Sequence, residues 1–300
     1  GMLFNSLAGL WIEQLGWRAA YQILGVIMLV LLVIFVWPLW FVLIASISDP
    51  SEVWQGHVVL FPRGITLAAY EEVIKYKTIW TGYANTILYT VLGTAINMVL
   101  TVCGAYPLSR KDFVPKKFFM LLFMVTMYFS GGLIPLFFVI RNTGLYNTIW
   151  VSSIPYAISA YNMIIMKTFF ESIPESLEEA AVIDGANDFT IFSRIIMPLS
   201  KPVVAVMILY YGVGQWNSWF PAAMFTRDRK IYPLQMILRE ILIENQAQNA
   251  DSLIAAVEDT FSSELVKYCT IIVSTIPILI IYPFLQKYFE KGVMIGAVKG

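Results

Sequence analysis

Charge is scarce in this sequence. Only 13% of its 300 residues are Asp, Glu, Lys or Arg, about half the share of an ordinary soluble domain. A water-soluble globule and a disordered chain are both excluded. Lys plus Arg and Asp plus Glu balance at 20 each, so no field exists to hold a polyanion, and nucleic acid is not an expected partner. The two cysteines, Cys103 and Cys269, lie inside apolar runs without metal-type spacing. Buried packing is expected for both, and a disulfide scaffold is excluded. The one histidine, His57, stands in a polar loop, where solvent exposure is expected; no second His completes a metal site.

What fills the sequence is apolar. Hydrophobic residues make up 58%, with 20 Phe, 16 Tyr and 9 Trp, and mean hydropathy is +0.70. Such an aromatic excess suits bilayer interfaces as well as cores. A helix needs about 20 apolar residues to cross the hydrocarbon core. Six segments qualify, at about 21–48, 83–109, 117–140, 148–170, 202–225 and 268–288. An all-α membrane protein with six transmembrane helices is therefore expected. Bends are expected at Pro38, Pro107, Pro135, Pro155, Pro277 and Pro283.

The first segment is too long for a signal-peptide core and lacks a small-residue cleavage pattern, so it is expected to stay attached. Residues 2–20 read as an amphipathic stretch on the membrane surface. The expected organisation is thus an N-terminal segment 1–20 followed by a six-helix body 21–300. Its longer connections fall at about 49–82, 171–201 and 226–267. The loop RKDFVPKK (110–117) carries four basic residues in eight. By the positive-inside rule that loop favours the cytoplasm, with both termini and 171–201 inside and the other two connections outside, but the full Lys/Arg count is only 11 inside to 9 outside, and charge alone does not settle the orientation.

No Asp, Glu, Lys, Arg or His interrupts the central stretches of these segments. A proton relay needs a titratable group near the midplane, and an intramembrane enzyme needs acids, His or metal ligands. The chain also has no G-x-x-x-x-G-K-[ST] phosphate loop. It is not expected to be an enzyme, and energy for any transport must come from another subunit.

Polar but uncharged residues do occur there: Asn85, Asn97, Ser130, Ser159, Asn162, Gln215, Asn217 and Ser218. The stretch YYGVGQWNSWF (210–220) concentrates them. One reading is helix-to-helix hydrogen bonding with close approach at the glycines. The other is a passage lined by Gln215, Trp216 and Asn217, whose amides and indole suit sugar hydroxyls and pyranose faces.

The most informative stretch is ESIPESLEEAAVIDGANDFTIFSRIIMPLSKP (171–202). Pro174 fits a helix's first turn, where no amide hydrogen bond is lost. Glu175, Glu178 and Glu179 complement the positive helix start, and Ser176 with Glu179 fits a capping box. Leu177, Ala180, Ala181 and Asp184 share a face, with small alanines that admit a close neighbour. Gly185 should end this helix. Asn187 or Asp188 should cap a second short one over Phe189–Ile196, stopped by Pro198 and Pro202. The expected product is a helix–turn–helix elbow presenting acids and small residues to the cytoplasm.

This elbow resembles the EAA loop of ABC importer permeases: E-A-A, three residues, G, nine residues, I-x-L-P. Here Glu179-Ala180-Ala181 is followed after three residues by Gly185 and after nine more by Ile195-x-Met197-Pro198. Met197 replaces Leu, a volume-conserving change. Asp184-Gly185-Ala186 and Pro198-Leu199-Ser200-Lys201-Pro202 are similar to the form found in sugar permeases. From about residue 21 onward the chain resembles the smaller permease subunit of maltose-type carbohydrate importers. Trp216-Asn217 near Pro221, and the tail QKYFEKGVMIGAVKG, share in that likeness. The stretches 130–150 and 262–289 resemble the branch that handles complex oligosaccharides, such as alginate or rhamnogalacturonan fragments.

The resemblance implies a type I ABC importer permease fold with a cytoplasmic coupling helix, in a bacterial cytoplasmic membrane, both termini inside. Implied partners are a second permease subunit, an ATPase dimer that binds ATP and Mg, an extracytoplasmic solute-binding protein and oligosaccharide cargo. Glu179, Ala180, Ala181, Asp184, Gly185, Ile195 and Pro198 would couple to the ATPase. The outer loop around 240–262 would meet the binding protein, and the tail 297–300 the ATPase pair. Two alternatives stay open: a stand-alone channel or facilitator, and a permease half for a non-sugar solute.

Overall fold

A computed structural model of the chain describes residues 17–251, 265–280 and 283. Residues 2–16 of the amphipathic stretch expected at 2–20, the end of the last expected segment and the tail lie outside these residues. The described chain is helical, with no strand among the described residues. In order the helices are α1 (Trp17–Ser46), α2 (Pro50–Trp54), α3 (Ala68–Lys75), α4 (Lys77–Ser109), α5 (Lys116–Tyr128), α6 (Leu133–Asn142), α7 (Ala160–Glu171) and α8 (Glu175–Ile183). They continue as α9 (Asp188–Leu199), α10 (Lys201–Trp216), α11 (Phe220–Phe225), α12 (Leu234–Asp251) and α13 (Leu265–Ile280). Two compact units divide the chain: Gly1–Lys75 with Asn245–Val273, and Tyr76–Glu244 with Ser274–Gly300.

In the first unit α1 is a 30-residue apolar rod, most of whose middle is exposed, as expected of a helix solvated by lipid. Its C-terminal end is built in. Cys269 Sγ donates to the Ser46 carbonyl at 3.3 Å, and Tyr70 Oη donates to Ser46 Oγ at 2.8 Å. The following loop folds on itself, with Asp49 capping α2 through the Ser51 amide at 2.9 Å. Hydrogen bonds from Ser51 hold the Asp49 carboxyl below its ordinary value, outweighing the small effect of burial. His57 is exposed, as expected, and sits 3.0 Å from Glu52. Cys269 is buried, but Cys103 is exposed on α4, so the expectation of burial fails there. Its run is apolar on every side, and only the packing decides which face turns outward.

The second unit is organised around α4, which packs along α10 and α7. Where α4, α7, α9 and α10 converge, Met166, Phe170, Ile196 and Met207 are almost fully enclosed.

The continuous spans expected at 117–140 and 148–170 are broken. α5 and α6 meet at 118°, the turns at Ile149–Tyr156 meet α7 at 53°, and α9 meets α10 at 76°. The first break is made by Ser130-Gly131-Gly132, where Gly132 takes φ +83°, a conformation outside any helix. Meanwhile α1 and α4 run past Pro38 and Pro107 without interruption. Among the described residues two helices are long and apolar enough to cross a bilayer, or up to five spans if each bent pair counts as one; α13 is shorter. Much of the connection expected at 226–267 is helical, as α12, rather than loop.

Candidate functional site

The elbow is present. α8 begins at Glu175, one residue later than the sequence suggests, because Pro174 takes an extended ψ of 127° and occupies the N-cap position. The Leu177 amide closes the first turn on the Pro174 carbonyl at 3.2 Å. Ser176 therefore lies inside the helix, and the expected Ser176–Glu179 capping box does not form; Pro174 provides no side-chain cap either. At the other end Gly185 (φ +78°) stops the helix as expected. Its amide donates to the Val182 carbonyl at 3.0 Å, and the Ala186 amide donates to Ala181 at 2.9 Å. These two bonds are the Schellman pair, and the left-handed residue they need is glycine.

Asn187 caps the second helix, its Oδ1 accepting from the Thr190 amide at 2.8 Å. Pro198 does not stop that helix. A π-turn over Phe192–Ile196 precedes it, and the helix continues to Leu199. The wider turn gives room to a proline ring that would otherwise press on the preceding turn's carbonyls. The chain then bends at Ser200, and Pro202 lies in the first turn of α10, where no amide bond is lost.

The elbow has an inner and an outer side. Ala181, Ile191 and Ile196 face the core beside Tyr106, Phe113 and Phe192. Leu177, Ala180 and Asp184, expected to share the Ala181 face, are exposed. Facing out, Ile183 is 85% and Phe189 75% exposed, on either side of Gly185. The acids divide as well. Glu178 forms an ion pair with Arg110, and Glu175 one with Lys111 at 2.5 Å. Glu175 holds the Lys111 ammonium above its ordinary value, by their hydrogen bond and then by its charge. Glu171, just before the elbow, accepts from Lys116 and Lys167, both at 2.7 Å. Glu179 is exposed and forms no ion pair among the described residues. Sequence reasoning had not paired the basic loop 110–117 with these acids, since the partners are about 60 positions apart and only folding joins them.

The three candidate passage residues do not act as one lining. Gln215 Nε2 donates to Asn97 Oδ1 at 3.2 Å across the seam between α4 and α10. Trp216 is buried beside Tyr83, ring centroids 6.4 Å apart. Asn217 caps α10, its Nδ2 donating to the Val213 carbonyl at 3.0 Å. Of the three, only Gln215 lines the recess of about 330 Å³ that it shares with Asn97, Tyr156, Tyr210 and Phe220. Asn97 and Tyr156 were not named as passage residues together, and nothing local in the sequence joins them. Asn85 serves architecture, donating to the carbonyls of Lys230 and Tyr232.

An apolar helical body whose connection between α7 and α10 is a built, outward-facing elbow defines the transmembrane component of a transport system. The chain belongs to the family of binding-protein-dependent transport system inner membrane components, whose model matches residues 5–295. It is similar to the polygalacturonan/rhamnogalacturonan transport system permease protein YtcP of Bacillus subtilis, with 39% identity covering 91% of this chain and 96% of that protein. Protein LplC of the same organism is also 39% identical, over 88% of this chain and 89% of its own length. Among solved structures, a bacterial ABC transporter involved in import of the acidic polysaccharide alginate has a chain matching with TM-score 0.80 and 36% identity. That match covers 89% of this chain and 97% of the other. The chain is therefore an inner-membrane permease component of a binding-protein-dependent transport system, a transport subunit and not an enzyme.

Proposed function

We propose that this subunit, with a second permease subunit, forms the pathway of an importer for acidic plant or algal oligosaccharides. Pectin-type or alginate fragments are the favoured cargo, because the relatives named for such polysaccharides match nearly the whole chain. In this reading the permease has six spans, with α13 belonging to the last, and both termini are cytoplasmic. ATP and Mg are bound by a separate ATPase dimer, and an extracytoplasmic binding protein delivers the sugar near α12.

The observation that carries the coupling role is the outward tip of the elbow. Ile183 and Phe189 are large apolar side chains held in the open on a cytoplasmic turn, next to Glu179 and Asp184. Exposed apolar groups rimmed by charge mark a partner surface. Glu179 meets a basic residue of the ATPase, while Ala180 and Gly185 let the two backbones approach. Ile195 and Pro198 shape the second arm. ATP-driven closure of the ATPase pair moves the elbow and shifts the permease between inward- and outward-facing states. Gln215 contributes to the passage through the recess it shares with Asn97 and Tyr156, whereas Trp216 and Asn217 act from behind by packing and capping.

Co-purification tests the docking surface. Ile183→Asp should leave the two permease subunits together and lose the ATPase; retention of the ATPase at wild-type stoichiometry would remove the surface from the account. A chain that purifies alone and passes sugar without ATP would favour the facilitator reading instead.

A further inference from the structure

The elbow joins the membrane body covalently at two places. Ser172–Pro174 lead into it from α7, and the bend at Ser200 leads out into α10. A rigid piece held at two points can still turn about the line between them. A third attachment, to a different helix, removes that freedom. Arg110 supplies it.

Arg110 is the residue on which α4 ends, and its guanidinium is fixed before any acid reaches it. It lies over the Tyr106 ring at 4.8 Å, and its Nε donates to Ser109 Oγ at 3.1 Å. Tyr106 in turn packs against Phe192 of α9, centroids 4.8 Å apart. The Arg110 and Glu178 side chains are each only 19% exposed, so water screens this pair little. Lys111–Glu175 and Lys116–Glu171 follow outward along the same loop, tying it to α8 and to the end of α7. A guanidinium stacked and hydrogen-bonded beforehand loses little freedom on pairing, which suits a fixed joint.

We propose that Arg110 is a positioning residue for energy coupling. Through Glu178 it makes the elbow and the cytoplasmic end of α4 move as one body, so that displacement at the ATPase reaches the α4–α10 seam. The basic loop, which by sequence only orients the chain in the membrane, is thereby a working part of the lever. This rests on the coupling role proposed for the elbow. The competing account is that the apolar contacts of Ala181, Ile191 and Ile196 alone carry the motion, with the ion pair as bystander.

The test uses the complete complex in proteoliposomes with its binding protein and a polygalacturonan oligosaccharide as probe. Sugar taken up per ATP hydrolysed is the readout, because a merely structural defect lowers both quantities together. Arg110→Glu should leave the complex assembled and hydrolysing ATP while that ratio falls about tenfold, within the range of intersite couplings. Glu178→Arg should do the same, and the double reversal should recover most of the ratio. If Arg110→Glu fails to assemble, Arg110→Gln removes the charge without placing an acid against Glu178, and its ratio is expected to fall too. A wild-type ratio in Arg110→Gln, or a double reversal no better than the singles, overturns the proposal. Ile183→Asp separates the two ideas. If it keeps the ATPase at wild-type stoichiometry, the elbow is not the docking site; if it loses the ATPase while the Arg110 variants keep the wild-type ratio, only the role of Arg110 fails.

Discussion

Gln215 on α10 donates to Asn97 on α4, and the direction of that bond is dictated from a third place. Asn97 Nδ2 donates to the carbonyls of Tyr156 and Ala157, both at 2.9 Å. Its Oδ1 is therefore the atom turned to Gln215, and Gln215 must answer with Nε2. The Gln215 Oε1 is left buried without a hydrogen-bond partner among the described residues. Gly93 makes the arrangement possible: a Cβ there would lie 2.6 Å from the Gln215 amide carbon.

Asn97 and Gln215 should thus respond differently to substitution. Asn97→Leu leaves a buried and a part-buried carbonyl unpaired and should destabilise the permease by about 2–4 kcal/mol. Gln215→Leu removes an already orphaned oxygen and should cost less than about 1 kcal/mol. Thermal unfolding of the solubilised complex checks both. Uptake that falls in Gln215→Leu at unchanged stability would place Gln215 in the passage, and unchanged uptake would make it a packing residue.

Gly93→Ala must push the Gln215 side chain out of the seam. Overpacking of this kind costs about 1–3 kcal/mol. The same melting experiment is expected to show that loss, and the Gly93→Ala, Gln215→Ala double variant should regain part of it. No regain would mean that the clash is not with Gln215.

At the elbow, Gly185→Ala forces a side chain into φ +78°. The expected cost is about 1–2 kcal/mol, and Gly185→Asn should cost less, since Asn tolerates the left-handed region. Because the strain sits in the turn, thermal stability of the permease pair should fall more in Ala than in Asn. Thermal unfolding of the purified pair measures this, and equal losses would contradict it.

The ion pairs should not be equivalent. Lys111 and Glu175 are 80% and 55% exposed, in contrast to the mostly buried Arg110 and Glu178. Lys111→Met should leave stability and coupling unchanged, while salt should weaken the Lys111 pair first. A lysine whose value is raised keeps its partner's stabilisation below the ordinary 10.5 and loses it only as pH climbs past that. No pH effect from this pair is expected near neutrality, and a neutral-range effect abolished by Lys111→Met would refute that assignment.

How far the sequence carried these conclusions depends on the distance between cause and effect. Gly185 and Asn187 act within four residues of themselves, so the turn and the second cap were legible. Pro174 misled by one position because proline tolerates both the cap and the first turn, and its ψ decides which. Glu178 and Glu179 look alike in a string, yet about 100° of helical rotation separates them, enough to send one to Arg110 and the other to solvent. Trp216 and Gln215 sit beside each other on α10 but enter different environments for the same reason. The breaks in the expected spans at 117–140 and 148–170 were hidden by uniform apolarity, which records solvent and not helix continuity. Cys103 was misjudged on the same ground.

The central claim is that the elbow couples this permease to an ATPase through Glu179. ATP hydrolysis by the reconstituted complex, stimulated by binding protein loaded with polygalacturonan or alginate oligosaccharide, tests it most directly in wild type and Glu179→Lys. Stimulation by one of these sugars in wild type, lost in a Glu179→Lys complex that still assembles its permease pair, is the expected result. Stimulation of equal size in the variant would contradict the claim.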